Sequence, residues 1–293
     1  MLTIVAFAFG LLVGSFLNVL GLRYKEGGKI LSSDIVRGRS YCPACKKTLQ
    51  WYELVPLVSF LVQRGRCWKC KARISLQYPF VELLSAFLTV GILSYFSHFF
   101  DIRILFQEGV NLFPLYLFTV LWLIAGYTLI VMSIIDLRFR IIPDQLNLFL
   151  AGLGLGVLLI KQNFAAFFPF QGSFLFSFQD LVVLHSSVLL SGFFAAAIAG
   201  AFFILIVLLS RGKGMGLGDV KLVIALGLLL SWPDIMLMIM LSFIIGSLYS
   251  LPLLLLKKKS VKSAVPFGPF IAVAVFATIF LGQPILSWYF SLI

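Results

Sequence analysis

Two stretches of this chain place carboxylates where an apolar sequence has reason to avoid them. The first reads Gly214-Met215-Gly216-Leu217-Gly218-Asp219-Val220-Lys221 and delivers Asp219 to the start of an apolar segment. The second runs from Ser133 to Asp144 and carries Asp136, Arg138, Arg140, Pro143 and Asp144. An ion loses its hydration in hydrocarbon at high cost, so an acid at membrane depth is a candidate for function. Gly216 and Gly218 remove side-chain bulk and leave room for a partner backbone beside Asp219. Asp144 follows Pro143 and has an ordinary explanation as a helix-start acid. Asp136 closes an apolar segment, where the helix dipole disfavours negative charge. Arg138 and Arg140 are available to compensate it.

Two carboxylates at one depth suggest an aspartyl dyad. Like charges held close cannot both ionise, so one member keeps a proton. The ionised member takes a proton from water and the protonated member polarises a scissile carbonyl, the two titrating as a pair. The other use of intramembrane acids is proton or ion coupling in a transporter. Many transporters show a repeat of halves, and none is evident in this chain.

A second constellation is Cys42-Pro-Ala-Cys45 and Cys67-Trp-Lys-Cys70, which hold all four cysteines and are separated by 21 residues. Two such pairs can present four thiolates to one tetrahedral zinc, although the gap is slightly longer than the usual ribbon spacing. Two disulfides and a redox pair compete with this reading. A reducing cytoplasm disfavours disulfides, and redox work needs only one of the motifs. Four protein thiolates leave no open position, so such a zinc is structural, one per chain. It would offset the small core of a short loop.

The elements that position these residues are membrane segments. The chain has 293 residues, 61% hydrophobic and only 12% charged, against about 25% charged in a soluble domain. Eight apolar segments are expected, at residues 2–22, 79–99, 112–135, 146–160, 181–209, 220–232, 235–256 and 266–281, in an all-α polytopic membrane protein. The first continues to about full spanning length without a basic n-region, which does not resemble a cleavable signal peptide. The fourth and sixth are short against the roughly 20 residues a span needs. Each follows a loop that carries an acid.

Charge gives the sidedness. Of 23 Lys and Arg residues, 12 lie between Arg23 and Tyr78, and nine more lie in the loops at 136–145, 210–221 and 257–263. The opposite loops hold only Arg103 and Lys161. Basic residues stay in the cytoplasm, so the cysteine loop and both acids are expected there, with both termini outside. The net charge of +12 then reports topology and attraction to membrane lipid, and nothing calls for nucleic acid. The expected domains are 1–22 as the first membrane helix, 23–78 as a cytoplasmic zinc-binding domain and 79–293 as the membrane core. Phe164, Phe167, Phe168, Phe170, Phe174, Phe176 and Phe178 read as an interfacial aromatic belt, as do Trp288-Tyr289-Phe290. Lys257-Lys258-Lys259 reads as a topology anchor. His98 and His185 fall near the outer face, far from the acids. Asn18 and Glu82 read as helix packing or capping.

Together these motifs resemble the bacterial type IV prepilin peptidases, bifunctional leader peptidase/N-methyltransferases of pilus, type II secretion and competence systems. The resemblance runs through Gly14-Ser15-Phe16-Leu17-Asn18-Val19 with Arg23, the two cysteine pairs, and Trp51 through Pro56-Leu-Val-Ser59. It continues through Tyr78-Pro79-Phe-Val-Glu82, Asp136 with Ile142-Pro143-Asp144, Gly216-Leu-Gly218-Asp219 and Pro266-Phe267-Gly268-Pro269. It implies that Asp136 and Asp219 are the catalytic acids, with Gly216, Gly218 and Asp144 in support. It implies cleavage of prepilin or pseudopilin leaders at the cytoplasmic face of the inner membrane. Methylation of the new N-terminus by S-adenosylmethionine would follow, at a site no motif here assigns. A transporter and a non-enzymatic zinc-bearing scaffold are the rival readings.

Overall fold

A computed structural model describes residues 1–30, 32, 38–100, 111–164, 173–175, 187–212, 214–255 and 265–292. His185, Arg103, Lys257, Lys258, Lys259 and the phenylalanines at 167, 168, 170, 176 and 178 lie outside them. The described residues are helical, with two isolated β-bridges. The helices are α1 (Leu2–Arg23), α2 (Val58–Val62), α3 (Gln77–Phe99), α4 (Phe113–Phe139), α5 (Asp144–Asn163), α6 (Val188–Leu209), α7 (Leu217–Leu230), α8 (Asp234–Leu255) and α9 (Gly268–Phe290). Seven of them (all but α2 and α7) are long and apolar enough to cross a membrane. With α7 as a short eighth, the chain is the all-helical, multi-pass membrane protein that its composition implies.

Of the three segments that bear on the acids, two differ from expectation in length and one agrees. The fourth segment is not short: α5 has 20 residues, because its polar ends, Asp144-Gln145 and Lys161-Gln162-Asn163, stay helical. The third continues one turn beyond Asp136, to a left-handed cap at Arg140 with φ 57°. Asp136 therefore sits inside a helix instead of closing it. The sixth is short as expected: α7 has 14 residues, or about 21 Å of rise.

The chain divides into two compact units, Met1–Ser97 and His98–Ile293. In the first, α1 packs on α3 through Gly10 and Gly14. A Cβ on Gly10 would lie 2.5 Å from the Ala86 Cα, and one on Gly14 would lie 2.7 Å from the Glu82 Cα. Lipid tails are as apolar as leucine, so helices in a membrane associate through such close backbone approach.

In the second unit α7 is wedged between α5 and α6. Gly227 of α7 sits on the α6 backbone, where an added Cβ would come 2.4 Å from the Ala196 Cα. Gly154 of α5 leaves the same kind of room, 3.0 Å from the Leu229 amide nitrogen. α5 and α7 run parallel. Asp144 and Asn147 at the start of α5 meet Lys221 and Gly218 at the start of α7, and Lys161 near the end of α5 meets Leu230 at the end of α7. Both acid-bearing loops therefore lie at one end of the bundle. Because Gly227 has no slack, Gly227→Ala is expected to destabilise by about 1–3 kcal/mol. Gly152→Ala, with nothing within 4 Å of the new methyl, is expected to be neutral or slightly stabilising. Thermal unfolding of the two variants in detergent checks the contrast.

Candidate active site

Asp136 lies on the last turn and a half of α4 and is 4% exposed. Its carboxylate is answered by a backbone amide and not by arginine. The Gly268 N–H, at the first residue of α9, donates to Asp136 Oδ2 at 2.8 Å. That amide is one of the unsatisfied donors that every helix start leaves, and the positive end of the α9 dipole favours the negative charge. Arg138 lies instead over the Phe139 ring, 4.7 Å from its centroid. Gly268 is required sterically, since a Cβ there would stand 2.8 Å from Asp136 Oδ2. Pro269 follows it at a helix position that tolerates proline.

Asp219 is half-buried in the first turn of α7. Its Oδ2 accepts the Gly216 N–H at 3.2 Å, closing the helix start on itself. Both acids lie at the end of the bundle where their two loops meet. The motif glycines divide their work. Gly218 packs on Ile142 of the other acid loop, where a Cβ would come 3.2 Å from the Ile142 Cβ. Asn147 Nδ2 donates to the Gly218 carbonyl at 3.4 Å. The clearance at Gly218 thus serves contact between the two acid loops. Gly216 has ordinary room, with Asp219 Oδ2 at 3.6 Å and the Gly218 nitrogen at 3.9 Å from an added Cβ. Asp144 faces solvent and takes Lys221 Nζ at 2.7 Å. Such an exposed pair is worth about 0–1 kcal/mol, and it fastens the start of α5 to the start of α7.

The four cysteines gather in the first unit. Their sulfurs lie within 4.8 Å of one another and no disulfide joins them. Cys42 Sγ and Cys70 Sγ are 3.8 Å apart. A tetrahedron of sulfurs around zinc, with Zn–S of about 2.3 Å, has an edge of about 3.8 Å, so the set fits a metal ion. The two halves repeat one geometry. The Lys46 N–H donates to the Cys42 carbonyl and the Lys71 N–H to the Cys67 carbonyl, each at 2.9 Å. Lys46 and Lys71 both take positive φ, 56° and 59°, and a bridge flanks each turn, Tyr41–Thr48 and Arg66–Arg73. Backbone N–H groups of Cys70 and Lys69 aimed at the Cys67 sulfur pull its thiol down to about 6, and the Cys45 N–H lowers Cys42. At Cys70 the Ala72 N–H acts downward, but desolvation and the other three sulfurs outweigh it and push the thiol up to about 11. Four crowded sulfurs thus resist shedding every proton unless a cation shares their charge.

The remaining polar residues of this unit brace the loop. Buried Glu53 accepts Lys47 Nζ at 2.9 Å and the Gln50 N–H at 2.9 Å, and burial is offset by that amide and the ammonium, which hold the carboxyl below its usual range. Glu82 takes the Leu57 N–H at 2.8 Å, and Asn18 donates to the Tyr78 carbonyl at 3.2 Å. Both therefore act as packing and capping groups. His98 closes the last turn of α3.

The second unit thus brings two acid-bearing loops to one end of its helices, and the first unit gathers four thiols. Residues 8–96 match the bacterial Peptidase A24 N-terminal domain, and residues 123–251 match the Type IV leader peptidase family. The chain is 31% identical to a prepilin leader peptidase/N-methyltransferase of Aeromonas salmonicida, over 98% of this chain and 93% of that protein. It is 31% identical to one of Bacillus subtilis over 98% of both, and 30% identical to one of Legionella pneumophila over 96% and 92%. The chain belongs to the Type IV leader peptidase family. No solved structure is a significant match.

The contact at Gly268 was not assigned from sequence, although Pro-Phe-Gly-Pro at a helix start signals free amides. Gly268→Ala is expected to displace the Asp136 carboxylate and destabilise by about 1–3 kcal/mol. Gly216→Ala, where only an N-cap preference is lost, is expected to cost under about 1 kcal/mol. Thermal midpoints of the two variants measure the difference.

Proposed function

We infer that this protein is a prepilin leader peptidase and N-methyltransferase of the bacterial inner membrane, with Asp136 and Asp219 as its aspartyl dyad. The observation that carries the dyad is the convergence of a buried acid on α4 and a half-buried acid on α7 at one end of the helix bundle. Family membership takes the place of the transporter alternative.

The chemistry follows from two acids sharing one proton. The ionised carboxylate removes a proton from a water molecule, whose oxygen adds to the scissile carbonyl carbon. The protonated carboxyl donates to the carbonyl oxygen as it gains charge. Collapse breaks the C–N bond, and the departing nitrogen receives a proton from the dyad. The Gly268 amide holds Asp136 in place, and Gly216 holds Asp219. Gly218 keeps the two loops in contact, and the Asp144–Lys221 pair braces them at the surface. The substrate class is a type IV prepilin or pseudopilin, with a basic leader followed by an apolar helix. Basic bias puts the cut and the cysteine loop on the cytoplasmic side and both termini outside.

S-adenosylmethionine is the co-substrate that supplies the methyl group to the new terminal amine. The described residues form no cluster that identifies its site. Cys42, Cys45, Cys67 and Cys70 would hold one structural zinc, which supplies cross-linking rather than catalysis, since four thiolates fill its coordination.

Two experiments test this reading. Asp136→Asn and Asp219→Asn are each expected to abolish leader cleavage of a prepilin in detergent or vesicles while the protein still inserts and folds. Cleavage retained with either amide rules out the dyad. Elemental analysis of the purified chain is expected to find about one zinc per chain, lost in Cys42→Ser or Cys67→Ser.

A further inference from the structure

The end of the bundle opposite the acids holds a second buried polar cluster that the proposed chemistry does not use. Lys161, expected in an outer loop, lies inside α5 and is fully buried. Its Nζ donates to the Leu230 carbonyl at 3.4 Å, the last residue of α7, and stands 5.6 Å from the centroid of the Phe174 ring. Asp234, the first residue of α8, is fully buried as well. Its Oδ1 accepts the Ser173 hydroxyl at 2.7 Å and its Oδ2 accepts the Phe174 N–H at 3.0 Å. Lys161 and Asp234 thus meet the same residue, one at the Phe174 ring and the other at its amide. Ser191 of α6 completes the set, accepting the Trp232 N–H and donating to the Trp232 carbonyl, each at 3.2 Å.

These contacts fall on three of the five positions from the end of α7 to the start of α8, Leu230, Trp232 and Asp234, and they come from α5, α6 and the 173–175 segment. The 173–175 segment is not an interfacial belt at Phe174. Phe174 and Leu175 are buried, with Phe174 edge-on to Trp122 of α4 at 5.5 Å and Leu175 filling the space beside Gly282 of α9. A helix of 14 residues falls about 9 Å short of a bilayer core of about 30 Å. Its far end must stop inside the membrane, where its last carbonyls have no water. A buried ammonium on one of those carbonyls suits the negative end of the helix dipole.

We propose that Lys161, Asp234 and Ser173 form a clamp that fixes the depth of α7 and so sets Asp219 level with Asp136. Lys161 is a positioning residue in this scheme: it touches neither acid and acts through the length of α7. The clamp holds the far end of the helix, and Asp219 projects from the near end, so a slip along the axis at Leu230 moves the carboxylate by the same amount. The proposal rests on the peptidase reading.

The test compares two double variants with the wild-type enzyme, using leader cleavage of a prepilin in vesicles. Lys161→Met/Asp234→Asn removes both charges and the donor to Leu230. Lys161→Gln/Asp234→Asn removes both charges and keeps an N–H donor. With folded enzyme quantified by thermal unfolding, the methionine double is expected to lose kcat by about 100-fold, the scale of a misplacement of about 1 Å, with KM within about twofold. The glutamine double is expected to recover most of that loss. If charge balance were the only role of Lys161, both doubles would cleave as the wild type does, and that result overturns the proposal. Should the methionine double fail to fold, Ser173→Ala loosens the clamp without uncovering a lysine. A fall in kcat at constant KM supports the clamp, and an unchanged kcat overturns it. A wild-type enzyme that cleaves no prepilin would instead remove the peptidase reading.

Discussion

A carboxylate inside an apolar bundle must be answered by a donor, and for Asp136 the donor is the Gly268 amide at 2.8 Å. The two groups are 132 residues apart in the chain. A hydrogen bond to a charged group contributes about 1.5–3 kcal/mol, and an unanswered charge would cost far more. The choice of an amide over an arginine has a chemical consequence. An arginine would neutralise the acid permanently, whereas an amide steadies one oxygen and leaves the other free to exchange a proton. The start of α9 is therefore part of the acid's surroundings, and α9 must pack beside the end of α4 for the site to exist.

The second acid depends on a different constraint. α7 brings Asp219 to the same end of the bundle, and it does so as a short helix held tightly by neighbours. Gly154, Gly227 and Gly218 let it approach α5, α6 and the Ile142 turn at backbone distance. Ser231, just past its end, adopts φ 75°, a conformation non-glycine residues enter only when surrounding contacts impose it. The contacts of Ser191, Ser173 and Lys161 around that turn are sufficient reason. Each acid is thus steadied by a backbone amide, Asp136 by one from a distant helix and Asp219 by one from its own helix start.

Much of the candidate site is legible in the chain itself, because charge in hydrocarbon is scarce and each instance needs a reason. Asp136, Asp219 and the paired cysteines stand out on those grounds. Asp144 was legible as a helix-start acid, and it is one, although its partner Lys221 lies 77 residues away and follows from the parallel packing of α5 and α7. What stayed hidden depends on contacts between distant segments. Gly268 has no local sign of the acid it meets. Lys161 looked like a loop cation, because a lone lysine near the end of an apolar run usually reaches water. Here Leu230 and Phe174 close over it. Phe174 looked interfacial for the same reason: alternation of aromatic residues reports a preference for apolar surroundings and does not distinguish lipid from protein.

The twin turns at Cys42–Lys46 and Cys67–Lys71 have a thermodynamic consequence beyond their geometry. Each turn forms locally, from hydrogen bonds within a few residues, so either half can take shape before the other. What cannot form locally is the junction across the 21 residues between Cys45 and Cys67. Closing a loop of that order costs the unfolded chain about 3 kcal/mol of configurational freedom. A metal ion shared by the two turns would remove that freedom as a disulfide does, but reversibly. With a metal ion bound there, the order of this segment would follow the supply of that ion, a concentration the cell itself controls.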